Sequence, residues 1–459
     1  MAKKAETVFI CTECGFESPK WAGRCQCGAW NSFVEERVLP AAPGGRGKQK
    51  PDAALRSKPK ALRGVTPGTA DRIDTGIGEL NRVLGGGLTK GTLTLIAGEP
   101  GIGKSTLILQ AAVCVARRGA NVLYVTGEES AEQIRSRADR VAEGDIPPSL
   151  LVLTETNMDA VLDAVEASAP DFLIIDSIQT MYTDDIASAA GGVSQVRVCT
   201  DILMRVSKGS NVPVFIVAHV TKAGELAGPK IVEHLVDCVL AFTGERSHDF
   251  RLLTASKNRF GTTSEVGAFE MRAEGLAEIA DLSGCLLDAS LGKTEGTIAT
   301  ATYEGSRPLL LELQALTAKA GTGFPRRSSL GLDQNRLSMI LAVLEKKVRL
   351  DLSGADVYVN IVGGVKPEGT SADLAAALAV WSSARNVVIP EGVIAVGEVG
   401  LAGEIRSARG ADKIAAEASS LGFTRLILPQ SNAAKIKTPA GLTLTGVSDI
   451  REAIALLQL

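Results

Sequence analysis

Aromatic side chains are scarce: eleven Phe, four Tyr and three Trp in 459 residues. So thin a supply argues against a single-stranded nucleic-acid binder built on aromatic stacking platforms. Charge of one sign is also lacking, since 49 Lys and Arg stand against 52 Asp and Glu for a formal net charge of −3. That balance argues against a polybasic, histone-like protein and leaves room for a local basic channel only. No apolar run approaches the roughly 18 residues of a membrane helix. The N-terminal stretch MAKKAETVFICTEC carries charges but no apolar core of a secretory signal. What is present is 45% apolar and 22% charged residues, enough to bury real cores. At roughly 100–200 residues per domain the length predicts about two to four domains. The expectation is a soluble, cytoplasmic, multidomain protein without membrane contact.

Of eight cysteines, four crowd the first thirty residues: Cys11, Cys14, Cys25 and Cys27. The others, Cys114, Cys199, Cys238 and Cys285, stand alone in apolar segments and read as small buried hydrophobes. The N-terminal four form C-x2-C-x10-C-x-C, with Gly15, Gly23 and Gly28 suited to tight turns. Two closely spaced thiolate pairs can close a tetrahedral Zn2+ site, the alternative being a redox-active C-x-x-C. Four protein ligands leave no open position for water, so such a site is structural. Residues 1–35 are therefore expected to be a zinc knuckle whose folding energy comes mostly from the metal. From Arg37 to Gly64 the chain holds Pro40, Pro43, Pro51 and Pro59, eight Lys or Arg, and one acid, Asp52. Residues 36–66 read as a flexible basic linker, compatible with a phosphate-contacting arm.

Strand and helix signals then alternate through an expected domain at 67–280. The apolar run Gly91–Ala97 leads directly into Gly98, Glu99, Pro100, Gly101, Ile102, Gly103, Lys104 and Ser105, a full G-x-x-x-x-G-K-[ST]. A helix is predicted from Thr106 to Arg118, with Leu107, Ile108, Ala111 and Val115 on one face. Glycines let backbone N–H groups wrap phosphates at a helix N-terminus. In that pattern Lys104 neutralises β/γ-phosphate charge and the Ser105 hydroxyl ligates Mg2+. Gly98 to Thr106 are thus the candidate ATP-binding residues. The strand Asp171–Asp176 ends in the carboxylate expected to hold Mg2+ through water, Asp176. Another strand, Asn121–Val125, delivers Thr126-Gly-Glu-Glu-Ser130. There Glu128 is the first candidate for polarising the attacking water and Glu129 the second; the bland alternative is that both merely favour the start of a helix at 130–141. His219 ends a further strand, 212–219, where a γ-phosphate sensor can sit.

These residues carry a resemblance. A P-loop, a Glu after the next strand and a late acidic strand end resemble the RecA/DnaB-type ATPase core. More narrowly, the four-cysteine knuckle, TGIGELNRVLGGGL at 75–88, GEPGIGKST, YVTGEES and Lys257-Asn-Arg-Phe-Gly261 resemble the bacterial RadA (Sms) DNA-repair family from end to end. One departure is the C-x-C at Cys25 and Cys27, where the family normally has C-x-x-C. The resemblance implies a hexameric, ATP-driven motor that binds single-stranded and branched DNA without sequence preference. It also implies branch migration of recombination intermediates beside a RecA-type recombinase. In that scheme Lys257 and Arg259 reach across a subunit interface toward the neighbour's nucleotide or the DNA. From the residues alone, KNRFG equally reads as a solvated turn between two strands. Segments 177–195 and 221–230, with Arg197, Lys222 and Lys230, are the candidate DNA-facing loops.

Residues 281–459 read as a second α/β domain with strands at 297–303, 308–316 and 356–362 and helices at 333–347, 370–383 and 410–421. This region resembles the proteolytic domain of Lon protease, including Glu368-Gly-Thr-Ser-Ala-Asp373. Ser371 falls at the nucleophile's position. A Ser–Lys dyad needs a lysine within hydrogen-bond reach, yet Asp412 stands where that lysine falls and Lys413 is one position off. The domain is accordingly expected to be a non-proteolytic, ring-forming platform that offers basic residues to DNA. The expected fold class is α/β, with a zinc knuckle, a RecA-like P-loop domain and a Lon-like domain in that order. Two other function classes remain: a nucleotide-switched protein-assembly module without DNA coupling, and an ATP-dependent protease.

Overall fold

The computed structural model describes residues 6–13, 15–38, 72–219, 231–244, 250–279, 281–287, 291–321, 324–362, 367 and 369–458. The chain divides into two compact units, Met1–Ile279 and Ala280–Leu459. Most of the basic linker, the 221–230 loop with Lys222 and Lys230, and Cys14 lie outside the described residues.

The first unit opens with three antiparallel strands, β1 (Glu6–Cys11), β2 (Glu17–Ser18) and β3 (Phe33–Val38), in the order β2-β1-β3. Strand β3 thus runs three residues into the stretch read as linker. Its core is very small, Cys11, Cys25 and Phe33 with a few flanking apolar residues. A short pair, β4 (Arg72–Ile73) and β5 (Leu88–Thr89), brackets helix α1 (Gly78–Leu84).

The main sheet has nine strands. In chain order come β6 (Leu93–Gly98), α2 (Lys104–Arg117), β7 (Val122–Thr126), α3 (Ala131–Val141), β8 (Leu150–Thr154) and α4 (Met158–Ser168). They are followed by β9 (Phe172–Asp176), α5 (Val193–Ser210), β10 (Val214–His219), α6 (Ile231–Leu235) and β11 (Cys238–Thr243). The antiparallel strands β12 (Phe250–Asn258), β13 (Val266–Met271) and β14 (Leu276–Glu278) finish the sheet. Spatially the order is β14-β13-β12-β11-β6-β10-β9-β7-β8, parallel from β11 to β8. The central strands are continuous apolar runs because both faces are covered. Ile96, Tyr124, Ile174 and Val217 pack under α1, α2 and α3. Leu95, Val125, Ile175 and Ile216 pack under α4 and α5 on the other side.

The second unit begins with α7 (Leu282–Leu286) and the long hairpin β15 (Thr297–Glu304) and β16 (Arg307–Lys319). Then come β17 (Arg327–Leu330), α8 (Gln334–Val343), β18 (Ala355–Ile361), α9 (Asp373–Arg385) and β19 (Val393–Ala395). The pair β20 (Glu398–Val399) and β21 (Ile405–Arg406), helix α10 (Ala411–Ser420), β22 (Arg425–Pro429) and β23 (Thr443–Val447) follow. Seven strands form one mixed sheet, β17-β18-β16-β15-β19-β22-β23. Helix α9, sequence DLAAALAVWSSAR, is buried almost all round and forms its central support. Two helices differ from the sequence expectation. The first is α-helical only to Val343 and widens into a π turn at Leu344–Val348. The second begins only at Asp373, so Thr370 and Ser371 precede the helix instead of starting it.

Candidate nucleotide site and zinc ribbon

Strand register gathers the predicted nucleotide residues at one edge of the main sheet. Gly98 ends β6 between the backbone of His219 on β10 and Phe242 on β11. Asp176 ends β9 opposite Thr126 of β7. The P-loop then turns through Gly103 at φ 113°, where an added Cβ would lie 2.8 Å from Met271 Cε. A glycine is required there, and α2 starts at the very next residue, Lys104. Its N-terminus therefore aims backbone N–H groups into the loop, an arrangement suited to phosphate.

Lys104 is only 3% exposed. Its Nζ donates to the carbonyls of Gly98 at 2.8 Å and Glu99 at 2.9 Å. Burial pulls its pKa down to about 8, opposed by the nearby charges of Asp176 and Glu128. Burial also raises the Asp176 carboxyl above the usual carboxylate range, opposed by hydrogen bonds from Tyr124 and Ser105. The Tyr124 hydroxyl donates to Asp176 Oδ2 at 2.5 Å from a fully buried ring, and burial holds that phenol well above its ordinary pKa. Ser105 and Asp176 thus meet directly, a pair of hard oxygen donors of the kind Mg2+ prefers.

The adjacent acids part company. Glu128 Oε1 accepts the Ser177 hydroxyl, immediately after Asp176. Glu129 pairs with Arg137 of α3, a structural tie to that helix. Ser130 caps α3 in a capping box with Gln133. Gly127 allows the turn to close, since a Cβ there would fall 2.2 Å from Thr180 Oγ1. The peptide bond between Asp176 and Ser177 is cis.

Lys257 and Arg259 lie at the other edge. Asn258 registers with Cys238 at the start of β11, four positions before the pair formed by Phe242 and Gly98, or roughly 13 Å along the strands. Lys257 and Asn258 are the last residues of β12, not a turn between strands. Lys257 Nζ donates to the carbonyls of Glu233 at 2.8 Å and His234 at 3.2 Å. Burial, then the Arg259 charge, lowers its pKa. Neither cation is near this chain's own P-loop. Of the candidate DNA-facing residues, Arg197 on α5 borders a cleft of about 560 Å3 with Glu17 and Glu36 of the three-stranded unit. The 177–195 segment is stapled by Gln195, whose buried amide donates to the carbonyls of Thr183, Ile186 and Ser188. Sequence reasoning missed that staple and Tyr124 alike. A tyrosine inside an otherwise apolar strand was the available signal, because a buried phenol needs a partner.

The sulfurs of Cys11, Cys25 and Cys27 lie within 4.8 Å of one another, with Cys11 and Cys27 separated by 3.8 Å. Tetrahedral Zn–S bonds of about 2.3 Å put sulfurs about 3.8 Å apart. The donor set fits Zn2+, and the one-residue spacing of Cys25 and Cys27 does not spread it. Cys199 and Cys238 are buried thiols raised to about 12 by desolvation, as inert side chains should be.

In the second unit Ser371 Oγ donates to the Ala301 carbonyl at 3.0 Å. Lys413 Nζ reaches the Ser306 carbonyl at 3.4 Å, further along the same hairpin. Asp412 raises the Tyr303 pKa further after burial, to about 12. The charge buried beside Ser371 is Asp373, bonded by Arg336 Nε at 2.9 Å.

Family matches follow the same division. Residues 59–225 match an AAA domain, residues 9–35 a rubredoxin metal-binding domain, and residues 333–432 the ChlI subunit of Mg-chelatase. DNA repair protein RadA of Bacillus subtilis is 45% identical over 98% of both chains. The chain belongs to the RadA family of DNA repair proteins. RadA of Halalkalibacterium halodurans is 46% identical over 99% of each chain. Among solved structures, the RadB recombinase covers 45% of this chain at 20% identity with a TM-score of 0.37. Membership fixes the fold class as an N-terminal zinc ribbon, a RecA-like P-loop ATPase domain and a C-terminal Lon-like domain. Among the described residues no helix is long and apolar enough to cross a membrane.

Proposed function

We propose that this RadA-family chain is a DNA-dependent ATPase motor. On this reading it binds single-stranded and branched DNA in the cytoplasm and promotes branch migration beside a RecA-type recombinase. The observation that carries the reading is the split between two half-sites. Lys104, Glu128 and Asp176 meet at the P-loop edge, whereas Lys257 and Arg259 are held at the opposite edge. Cations placed there serve a neighbouring copy's nucleotide, which a homo-oligomeric ring, hexameric by family resemblance, supplies.

In the proposed reaction Gly98 to Thr106 cradle the phosphates of ATP, and Lys104 exchanges its loop carbonyls for phosphate oxygens. Glu128, oriented by Ser177, accepts the proton of the attacking water. Ser105 and Asp176 would hold Mg2+, which when bound neutralises charge on the phosphates. Lys257 and Arg259 stabilise charge across the interface. The division into residues 1–35, 36–66, 67–280 and 281–459 assigns metal binding, tether, motor and platform in turn. The platform is read as non-proteolytic, a reading supported by Asp412 standing where the dyad lysine would fall and by Ser371 and Lys413 each reaching a different backbone carbonyl.

Arg259→Ala is expected to impair DNA-stimulated hydrolysis at least tenfold while sparing nucleotide binding and folding. Wild-type turnover in that variant, measured with saturating single-stranded DNA, removes the cross-interface role. For the ribbon, Cys11, Cys14, Cys25 and Cys27 are proposed to bind about one Zn2+ per chain. Elemental analysis of the purified protein is expected to find it, and Cys11→Ser to lose it. A zinc-free wild-type chain that keeps a folded ribbon contradicts the assignment.

A further inference from the structure

Asp237, between α6 and β11, is buried, yet five hydrogen bonds converge on it. Its Oδ1 accepts from Arg259 Nη1 at 3.1 Å. Its Oδ2 accepts from Lys208 Nζ at 2.7 Å and from the Leu93 backbone N–H at 3.2 Å. The main chain repeats the link: Asp237 N–H donates to the Leu93 carbonyl at 2.9 Å, and Arg259 N–H donates to the Asp237 carbonyl at 3.2 Å. Leu93 is the first residue of β6, and Gly98, its last, opens the P-loop. Arg259, by contrast, has a side chain 56% exposed, anchored at one nitrogen and otherwise open to solvent. Lys208 is spread over the Phe260 ring at 5.8 Å, flanking the same carboxylate.

We propose that Asp237 is the positioning residue for Arg259 and couples it, through β6, to the chain's own P-loop. A buried carboxylate shared by two cations is weak as a source of stability and better understood as fixing orientation. Strand β6 is buried along its whole length, so a shift at the P-loop is carried to Leu93 and from there to both ends of the Asp237 linkage. The state of one nucleotide site thereby sets where the next subunit's cation stands. This inference rests on the cross-interface reading of Arg259.

The test compares Asp237→Asn, Arg259→Ala, the double variant and Lys208→Gln in the full-length chain, scoring DNA-stimulated kcat, ATP affinity and Tm. Asparagine keeps an acceptor for Leu93 but gives up the charge that orients the guanidinium. Asp237→Asn is expected to lower kcat about 10- to 100-fold, the scale of a catalytic group misplaced by about an ångström. ATP affinity should stay within about twofold. The double variant should be no slower than Arg259→Ala, because the two residues act as one unit. Lys208→Gln leaves the bond between Asp237 and Arg259 in place and should stay within about twofold of wild type. It also serves if Asp237→Asn fails to fold, since a loss as large as that of Arg259→Ala would mean general cluster electrostatics and overturn the proposal. Wild-type kcat in Asp237→Asn beside an impaired Arg259→Ala overturns this proposal alone, as do multiplicative losses in the double variant. Wild-type kcat in Arg259→Ala overturns the cross-interface reading and this inference with it.

Discussion

Lys104→Ala is expected to reduce ATP turnover by about two to three orders of magnitude, the scale of losing one preorganised stabiliser of transition-state charge. The side chain is buried, and its ammonium donates to the Gly98 and Glu99 carbonyls of the loop itself. Those carbonyls hold it where phosphate oxygens arrive. Burial has already lowered its pKa to about 8, so an incoming polyanion strengthens the charged form instead of merely tolerating it. Alanine keeps the helix start, since it is the best helix former. The loss should therefore fall on ATP binding and hydrolysis, with the circular dichroism spectrum unchanged. A variant that turns over ATP near the wild-type rate contradicts the assignment of this loop.

The second large effect is expected at Glu128. Glu128→Gln should slow hydrolysis by about 10²–10⁴-fold, as removal of a general base does, with ATP still bound. Glu129→Gln is the contrasting case. Its carboxylate is tied to Arg137, so this change should cost modest stability and leave turnover within a few-fold. Single-turnover hydrolysis and equilibrium binding of a fluorescent nucleotide separate the two. Equal impairment of both variants contradicts the distinction drawn from Ser177 and Arg137.

The choice between these two glutamates marks how far sequence carries. The P-loop and the acidic strand end were legible because each depends on neighbours within a few residues, and the apolar runs at 93–98, 122–126 and 172–176 declare a sheet buried on both faces. Glu128 and Glu129, adjacent in the chain, diverge only through partners at Ser177 and Arg137. Tyr124 finds Asp176 52 positions away, and Asp237 binds Leu93 at a separation of 144. No local period encodes such pairings; strand order creates them. KNRFG shows the same limit. Its position between two strand-like runs read equally as a solvated turn, but pairing with β11 extends β12 through Asn258 and places Arg259 against a carboxylate. In the Lon-like unit the missing lysine was legible, while the bond of Ser371 to Ala301 depended on where the long hairpin folds.

The central claim is that hydrolysis is coupled to DNA, and ATP turnover of the purified protein with and without single-stranded DNA tests it most directly, with Lys104→Ala as the control for contaminating activity. The account predicts turnover that rises severalfold with DNA and falls to background in the control. Turnover abolished by Lys104→Ala yet indifferent to DNA of any structure would contradict it, leaving an ATPase whose cycle answers to something other than nucleic acid.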